Sequence, residues 1–336
     1  MAAAYAYLDH NATSPLRPAA LDAMVEALRS GGNPSSVHRP GRAARARIDK
    51  ARRQVAGLVG GLPGEIVFTS GGTEANNMAL HGNGRQRVLV SAIEHESVLK
   101  AVPGAERIAV DRNGVIDLAA LERMLAGGPA LVSVMLANNE TGVIQPISEV
   151  VRLARVAGAL VHCDAVQAAG KVPVDLHGLG VDYLSLSAHK LGGPTGAGAL
   201  VVRAAAPFAP DRVGGGQESH RRAGTENVAG LAGFGAAAEA SRDGLDVAAL
   251  RDRIEASLPM AMVHGAGAPR LPNTSCLSMP GVNAETQVMA LDLAGVGVSA
   301  GAACSSGKVT RSAVLAAMGV EAADADAAIR ISCGWN

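Results

Sequence analysis

Short apolar runs alternate with amphipathic stretches through the middle of the chain, and this rhythm predicts an architecture before any motif is considered. From about residue 64 to 203 the strand candidates are 65–70, 87–93, 107–110, 131–137, 160–164, 183–187 and 199–202. Between several of them apolar positions recur at helical spacing, over 74–80, 118–126 and 147–157. Strands separated in this way by helices predict an α/β fold with a mainly parallel seven-stranded sheet and helices on both faces. Ligands of such sheets bind at the carboxyl ends of the strands. A long arginine-rich helix is expected over 42–59 and another helix over 228–240, while 247–257 opens a region of shorter elements. We therefore place a large domain at 14–245 and a smaller α+β domain at 246–336, with residues 1–13 packed against the smaller one.

Composition narrows the classes of function. Of 336 residues 48% are hydrophobic but only 2% aromatic, with 41 glycines, so the core must be aliphatic and packed through small residues. A formal net charge of zero argues against a nucleic-acid or membrane partner. No run approaches the roughly 18 apolar residues of a membrane span. The start, Met1-Ala-Ala-Ala-Tyr-Ala-Tyr-Leu-Asp9, lacks a basic stretch followed by an apolar one and does not read as an export signal. Cys163, Cys276, Cys304 and Cys333 lie far apart, without a CxxC pair. That spacing disfavours a disulfide framework or zinc knuckle and fits reduced thiols in the cytoplasm.

The chemistry gathers at the predicted strand ends. Thr69-Ser-Gly-Gly-Thr-Glu-Ala-Asn-Asn77 follows a strand and opens a helix, so Gly72 lets the backbone approach an anion that the Thr73 hydroxyl helps to hold. An ordinary turn with Thr73 as helix N-cap reads equally well from these residues alone. In Ser91-Ala-Ile-Glu-His95-Glu-Ser97 the imidazole is placed to stack on a planar ring or move a proton. Asn138-Asn-Glu-Thr-Gly142 offers two amides to a carboxylate or ring oxygen, or makes Asx-turns. In His162-Cys-Asp-Ala-Val-Gln167, Asp164 ends an apolar strand, where an unpaired charge would be costly. A protonated ring nitrogen would pair with it, and Gln167 would reach a neighbouring oxygen. Finally, Ser187-Ala-His-Lys190-Leu-Gly-Gly-Pro194 boxes an amine between a strand end and a tight turn, where desolvation makes it nucleophilic toward a carbonyl. Phosphate cradle, stacking ring, amide, carboxylate and amine together match pyridoxal phosphate, with Lys190 as its Schiff-base lysine.

These motifs resemble the cysteine desulfurases of the class V aminotransferase superfamily, from Tyr7-Leu-Asp-His-Asn-Ala-Thr13 to Ile329-Arg-Ile-Ser-Cys-Gly334. Gly32-Asn-Pro-Ser-Ser-Val-His38, Gly214-Gly-Gly-Gln-Glu218, Arg222-Ala-Gly-Thr-Glu-Asn227 and Ser299-Ala-Gly-Ala-Ala-Cys304-Ser-Ser-Gly307 belong to the same set. The resemblance implies a pyridoxal-phosphate enzyme of fold type I, a homodimer with its active site at the subunit interface. It implies that Lys190 holds the cofactor, His95 stacks on the ring, Asp164 pairs with the ring nitrogen and Gln167 contacts the ring oxygen. Thr73, Ser187 and His189 would bind the phosphate, and Thr225 would reach the phosphate of the neighbouring subunit. Asn139 and Arg330 would anchor the carboxylate of L-cysteine. Cys304, in a loop of glycine, alanine and serine, would take the substrate's sulfur as a persulfide and pass it to an acceptor such as an iron–sulfur scaffold protein.

A selenocysteine lyase would use the same apparatus. An aminotransferase or kynureninase-like hydrolase would share it without requiring Cys304, and the cysteine spacing argues against a non-enzymatic iron–sulfur scaffold. Cys333 stands where relatives usually carry an aliphatic residue and is read as packing. The chain stops at Gly334-Trp-Asn336, where relatives continue for at least one more helix, so a truncated small domain is expected.

Overall fold

Seven strands pair into one sheet in the order Ile66–Thr69, Gly198–Val202, Tyr183–Ser187, Leu160–Asp164, Leu131–Ser133, Val88–Ser91, Glu106–Ile108. This computed structural model describes residues 5–301 and 311–336; the expected nucleophile Cys304 lies outside the described residues. Gly198–Val202 runs antiparallel to both neighbours, and every other pairing in the sheet is parallel. The sheet is the mainly parallel seven-stranded one expected, with a single reversed strand inserted next to its edge.

Alternation within the strands decides how the two faces are filled. Ile66 and Phe68 join one apolar cluster with Leu184 and Leu186, beneath the helices Arg39–Leu58, Leu118–Leu125, Ile147–Val156 and Val228–Ala240. Val67, Leu200 and Tyr183 face the other way, against Ala75, Met78 and Ala79 of the helix Gly72–Gly82. Each buried aliphatic side chain contributes roughly 1.5–3 kcal/mol, and burial on both faces is what a largely parallel sheet requires. With few aromatic side chains, close helix packing replaces bulk. At Gly235 a Cβ would lie 2.6 Å from Ala51 Cα and 2.8 Å from Ala51 Cβ, so Val228–Ala240 approaches Arg39–Leu58 almost backbone to backbone.

Several expected strands end early. The segment expected to be extended over 131–137 pairs as a strand only at Leu131–Ser133. Beyond it Val134 and Leu136 still donate to His162 O and Asp164 O before the chain turns at Asn138. Similarly 87–93 shortens to Val88–Ser91, because the chain leaves the ladder to turn toward His95. Both departures deliver pocket residues.

A four-stranded antiparallel sheet, Ser299–Ala300, Ala328–Ser332, Thr274–Ser278 and Met262–Val263, forms from the C-terminal part. Ala6–Tyr7 pairs in parallel with Val296–Gly297, and Asp9 bridges to Ser332. The N-terminal segment thus lies along the C-terminal elements before it crosses to the large sheet at Asn11. Replacing Gly235 with Val forces side-chain volume onto the Ala51 backbone. The expected loss is about 1–3 kcal/mol, read as a lower denaturant midpoint with an unchanged m-value.

Candidate active site

At the carboxyl end of the parallel strands lies a cavity of about 300 Å³, at the lower end of the range for ligand pockets. Gly72, Thr73, His95, Asn139, Asp164, Gln167, Ser187, His189 and Lys190, drawn from all five strand-end motifs, line it together with Arg330.

The first wall is a helix start. Gly71 occupies the N-cap position of the 11-residue helix Gly72–Gly82 and offers no side-chain cap. Thr73, read from the sequence as a possible N-cap, lies inside the first turn instead, beside the positive end of the helix dipole. Gly72 permits close packing, since a Cβ there would meet Val166 Cγ2 at 2.9 Å. Glu74 braces the turn by accepting from Ser70 N and Ser70 Oγ at 2.7 and 2.5 Å and from Arg222 Nε at 2.9 Å. Burial works to raise the Glu74 carboxyl, but Arg222 and Ser70 outweigh it and hold it at about 2.

The back wall carries one negative charge among neutral groups. Asp164 ends its strand, with Oδ1 accepting from Val166 N at 2.9 Å and Oδ2 from Asn76 Nδ2 at 2.8 Å. No helix follows Asp164, so its local bond is a turn rather than a helix cap. Nearby, Glu94 is wholly buried and accepts only from Met135 N, at 2.7 Å, among the described residues. Burial, reinforced by the Asp164 charge, pushes its carboxyl well up, toward the protonated form.

Asn76 also donates to Ser97 Oγ at 2.9 Å, and Ser97 Oγ lies 2.8 Å from His95 Nδ1. His95 precedes the short helix Glu96–Leu99 and its Nδ1 accepts from Ser97 N at 3.1 Å. The neutral ring therefore carries its proton on Nε2. Burial lowers its pKa and the Asp164 charge opposes this, while Lys190 lowers it further. A neutral planar ring results, next to Asp164.

Lys190 ends the turn Ala188–Lys190 and donates to two main-chain carbonyls, Asn11 O at 2.6 Å and Ala12 O at 2.8 Å. His189 Nδ1 lies 3.2 Å from Thr13 Oγ1, and burial with the Lys190 charge brings its pKa down to about 4. Gln167 Nε2 donates to Asn11 O at 3.0 Å, and its Oε1 accepts from Lys171 Nζ at 2.7 Å. From the small sheet, Arg330 reaches across: NH2 donates to Asp9 Oδ1 at 2.7 Å and NH1 to Asn139 O at 3.1 Å. Its Nε is buried without a partner among the described residues.

The two neighbouring amides divide their roles. Asn138 turns inward, donating to Ile93 O at 3.1 Å and accepting from Glu140 N and Thr141 N, so it makes the Asx-turn and offers nothing to a ligand. Asn139 alone lines the cavity. Thr225 is exposed and not part of this lining. It lies on the segment that follows three consecutive left-handed residues, Glu218, Ser219 and His220, with φ of 48°, 57° and 64°. Arg52 anchors that strained turn by gripping both Glu218 carboxylate oxygens, at 2.8 and 2.7 Å. Cys163, Cys276 and Cys333 are buried free thiols, and burial pushes each of them up, so none is poised as a thiolate.

Asn11, Asn76 and Lys171 are among the residues here to which the sequence assigned no role. Asn76 stood within the quoted glycine-rich loop, and Asn11 within the first motif. Lys171 had a signal of its own, a lone charge in the apolar run Ala165-Val-Gln-Ala-Ala-Gly-Lys-Val-Pro-Val174.

The donor set fits pyridoxal phosphate. An uncapped helix start with Ser187 and His189 opposite suits a phosphate, Asp164 a ring nitrogen that carries a proton, and neutral His95 a ring face. The orphaned Arg330 Nε and Asn76 Oδ1, both on residues of the cavity wall, await polar partners. Fold and site together are those of a fold type I pyridoxal-phosphate enzyme. The family model for aminotransferase class-V matches residues 6–336, and the chain belongs to that family, within its NifS-like cysteine desulfurase branch. The chain is 46% identical over 347 residues to a cysteine desulfurase of Cereibacter sphaeroides, covering 97% of this chain and 90% of that protein. It is similar in structure to a NifS-like protein of Rickettsia africae ESF-5, with a TM-score of 0.90 and 35% identity over 98% of this chain and 94% of the other. SspA in complex with cysteine superposes with a TM-score of 0.87 at 29% identity, over 97% of this chain and 98% of that one.

Under the site His162 is buried between Ser133 Oγ at 2.8 Å and Ser185 Oγ at 2.9 Å, and burial lowers its pKa from 6.5 to about 4. Between those values the unfolded chain binds the proton and the folded one does not. Stability from this group is therefore complete above pH 6.5 and is lost as pH falls toward 4, at up to about 1.4 kcal/mol per pH unit. Denaturant titrations across that window should show His162→Gln with a shallower pH slope than wild type. An identical slope would show that His162 accepts its proton freely in the folded state.

Proposed function

We propose that the chain is a cysteine desulfurase that uses pyridoxal phosphate to convert L-cysteine to alanine, leaving the sulfur as a persulfide on Cys304. What carries the reading is the convergence of Lys190, Asp164, Gln167, His95 and Thr73 on one cavity. The bound cofactor supplies an electron sink for charge developing on the substrate's carbon atoms.

The remaining work belongs to the chain. Lys190 is the covalent attachment point, steered by two carbonyls that accept its N–H groups. Asp164 keeps the ring nitrogen protonated, and neutral Glu94 leaves that charge undivided. Gly72, Thr73, Ser187 and His189 hold the phosphate; His189, being neutral, contributes a hydrogen bond rather than a charge. His95 stacks on the ring and holds a proton at Nε2. Asn139 and Arg330 take the substrate carboxylate, with Asp9 fixing the guanidinium so that Nε faces an incoming acceptor. The Cys304 thiolate forms an S–S bond with the substrate sulfur as the substrate's Cβ–S bond breaks. The electron pair stays with the carbon fragment, which leaves as alanine once protonated.

In this reading residues 14–245 form the cofactor domain, and 1–13 with 246–336 the smaller one. The enzyme works as a homodimer in the cytoplasm, with Thr225 on the neighbouring subunit's phosphate, and an iron–sulfur scaffold or similar protein accepts the sulfur. Among the described residues no helix is long and apolar enough to cross a membrane.

Cysteine-dependent alanine and protein persulfide, measured for wild type and Cys304→Ala, test the function. Wild type should yield both, and Cys304→Ala should keep the cofactor's visible band yet form no persulfide. Stoichiometric persulfide from Cys304→Ala would remove Cys304 as the nucleophile. Lys190→Ala should lose the visible band of the lysine-bound cofactor; retention of that band would place the attachment elsewhere.

A further inference from the structure

Lys171 is a fully buried lysine with no carboxylate partner among the described residues, and the chemistry above gives it no task. Buried lysines are rare and costly unless paired. Its Nζ donates to Asn11 Oδ1 at 2.6 Å and to Gln167 Oε1 at 2.7 Å. Its charged neighbours are Lys190 and Arg330, both of its own sign. Across a small cavity it also shares a wall with His10, Arg17 and Cys333. Burial, then the Lys190 and Arg330 charges, push its pKa well down. Whatever its charge, the amine donates through its N–H groups, and here two oxygen acceptors receive them.

The consequence falls on Gln167. A glutamine amide presents either an oxygen or an NH2 to a given side, and the two choices differ little in shape. Lys171 donates to Oε1, and Asn11 O accepts one hydrogen from Nε2 at 3.0 Å. With both ends held, the amide cannot reverse, and its second Nε2 hydrogen is left for the cavity that Gln167 lines.

We propose that Lys171 is a positioning residue: by pinning the Gln167 carbonyl it makes the site present an N–H donor, never an acceptor, to the cofactor's ring oxygen. This rests on the pyridoxal-phosphate reading of the site and adds the device that sets the polarity of one contact. A donor facing that oxygen stabilises its negative charge and weakens its hold on the neighbouring proton of the lysine linkage. The pKa read from the pH dependence of the visible band is thereby kept low.

The test is that spectroscopic titration on purified, cofactor-loaded protein, with thermal midpoints recorded in parallel. Lys171→Met keeps the length of the side chain and removes its donors. It should raise the band's pKa by about one unit, a tenfold change, as should Gln167→Ala. The double variant should shift no further than Gln167→Ala alone. Lys171→Gln, which restores a neutral donor, should titrate like wild type. A wild-type pKa in Lys171→Met, or shifts that add in the double variant, would overturn the proposal. If Lys171→Met does not fold, Lys171→Ala is titrated in its place: a raised pKa supports the role, and a wild-type pKa removes it. Absence of a visible band from wild type would instead defeat the cofactor reading itself.

Discussion

The site depends on one buried asparagine. Asn11 N donates to Ser332 Oγ at 3.0 Å, and its Nδ2 donates to Asn139 O at 3.2 Å and Thr274 Oγ1 at 2.9 Å. Its Oδ1 accepts from Lys171 and Asn273, and its carbonyl from Gln167 and Lys190. The large sheet, the small sheet and the N-terminal segment thus meet on a single residue whose polar atoms are all engaged. Such a network is stable because it is fully satisfied; one missing member would strand several buried groups. Residues from three parts of the chain are held in register by it, which is why the cavity exists as a defined object rather than a gap between layers.

Electrostatic economy is the second organising feature. Four titratable side chains crowd Asp164 or Lys190, yet burial keeps His95, His189, Glu94 and Lys171 toward their uncharged forms. The charges of the wall are then few and specific: Asp164 at the back, Lys190, and the buried Arg330 tied to Asp9. In a water-poor cavity each surviving charge acts over a longer range. Neutral neighbours are what let a single carboxylate dominate one end of the site.

Much of this was legible in the sequence, for identifiable reasons. Strand-sized apolar runs separated by amphipathic stretches located all seven strands of the large sheet, because both of its faces are buried. Residues that end strands, Asp164 and Ser187, or that follow them closely, Thr73, His95 and Lys190, were legible because local order places them at one edge of the sheet. Asn138 and Asn139 could not be told apart: which of two adjacent amides turns inward depends on Ile93, 45 residues away in the chain. Asn11 was invisible for the same reason, and the short elements near the N-terminus carry no periodicity to place it. Lys171 stood out as a lone charge in an apolar run, but its task lies entirely in its tertiary partners.

The reversed strand Gly198–Val202 shapes the entrance in a way that a wholly parallel sheet could not. Strands two places apart in a sheet are about 9–10 Å apart, so the loops leaving Thr69 and Ser187 stand on either side of a gap. The chain reaches the intervening strand through the turn 188–197 at this same edge, and that turn carries Lys190. Because the intervening strand runs the other way, it enters here at Gly198, where even a Cβ would lie 2.6 Å from Gly71 Cα and 2.7 Å from Leu186 O. Backbone therefore packs on backbone at Gly198, and the reversal turns the chain back sharply enough to set the lysine at the sheet's edge beside the helix start that carries Thr73.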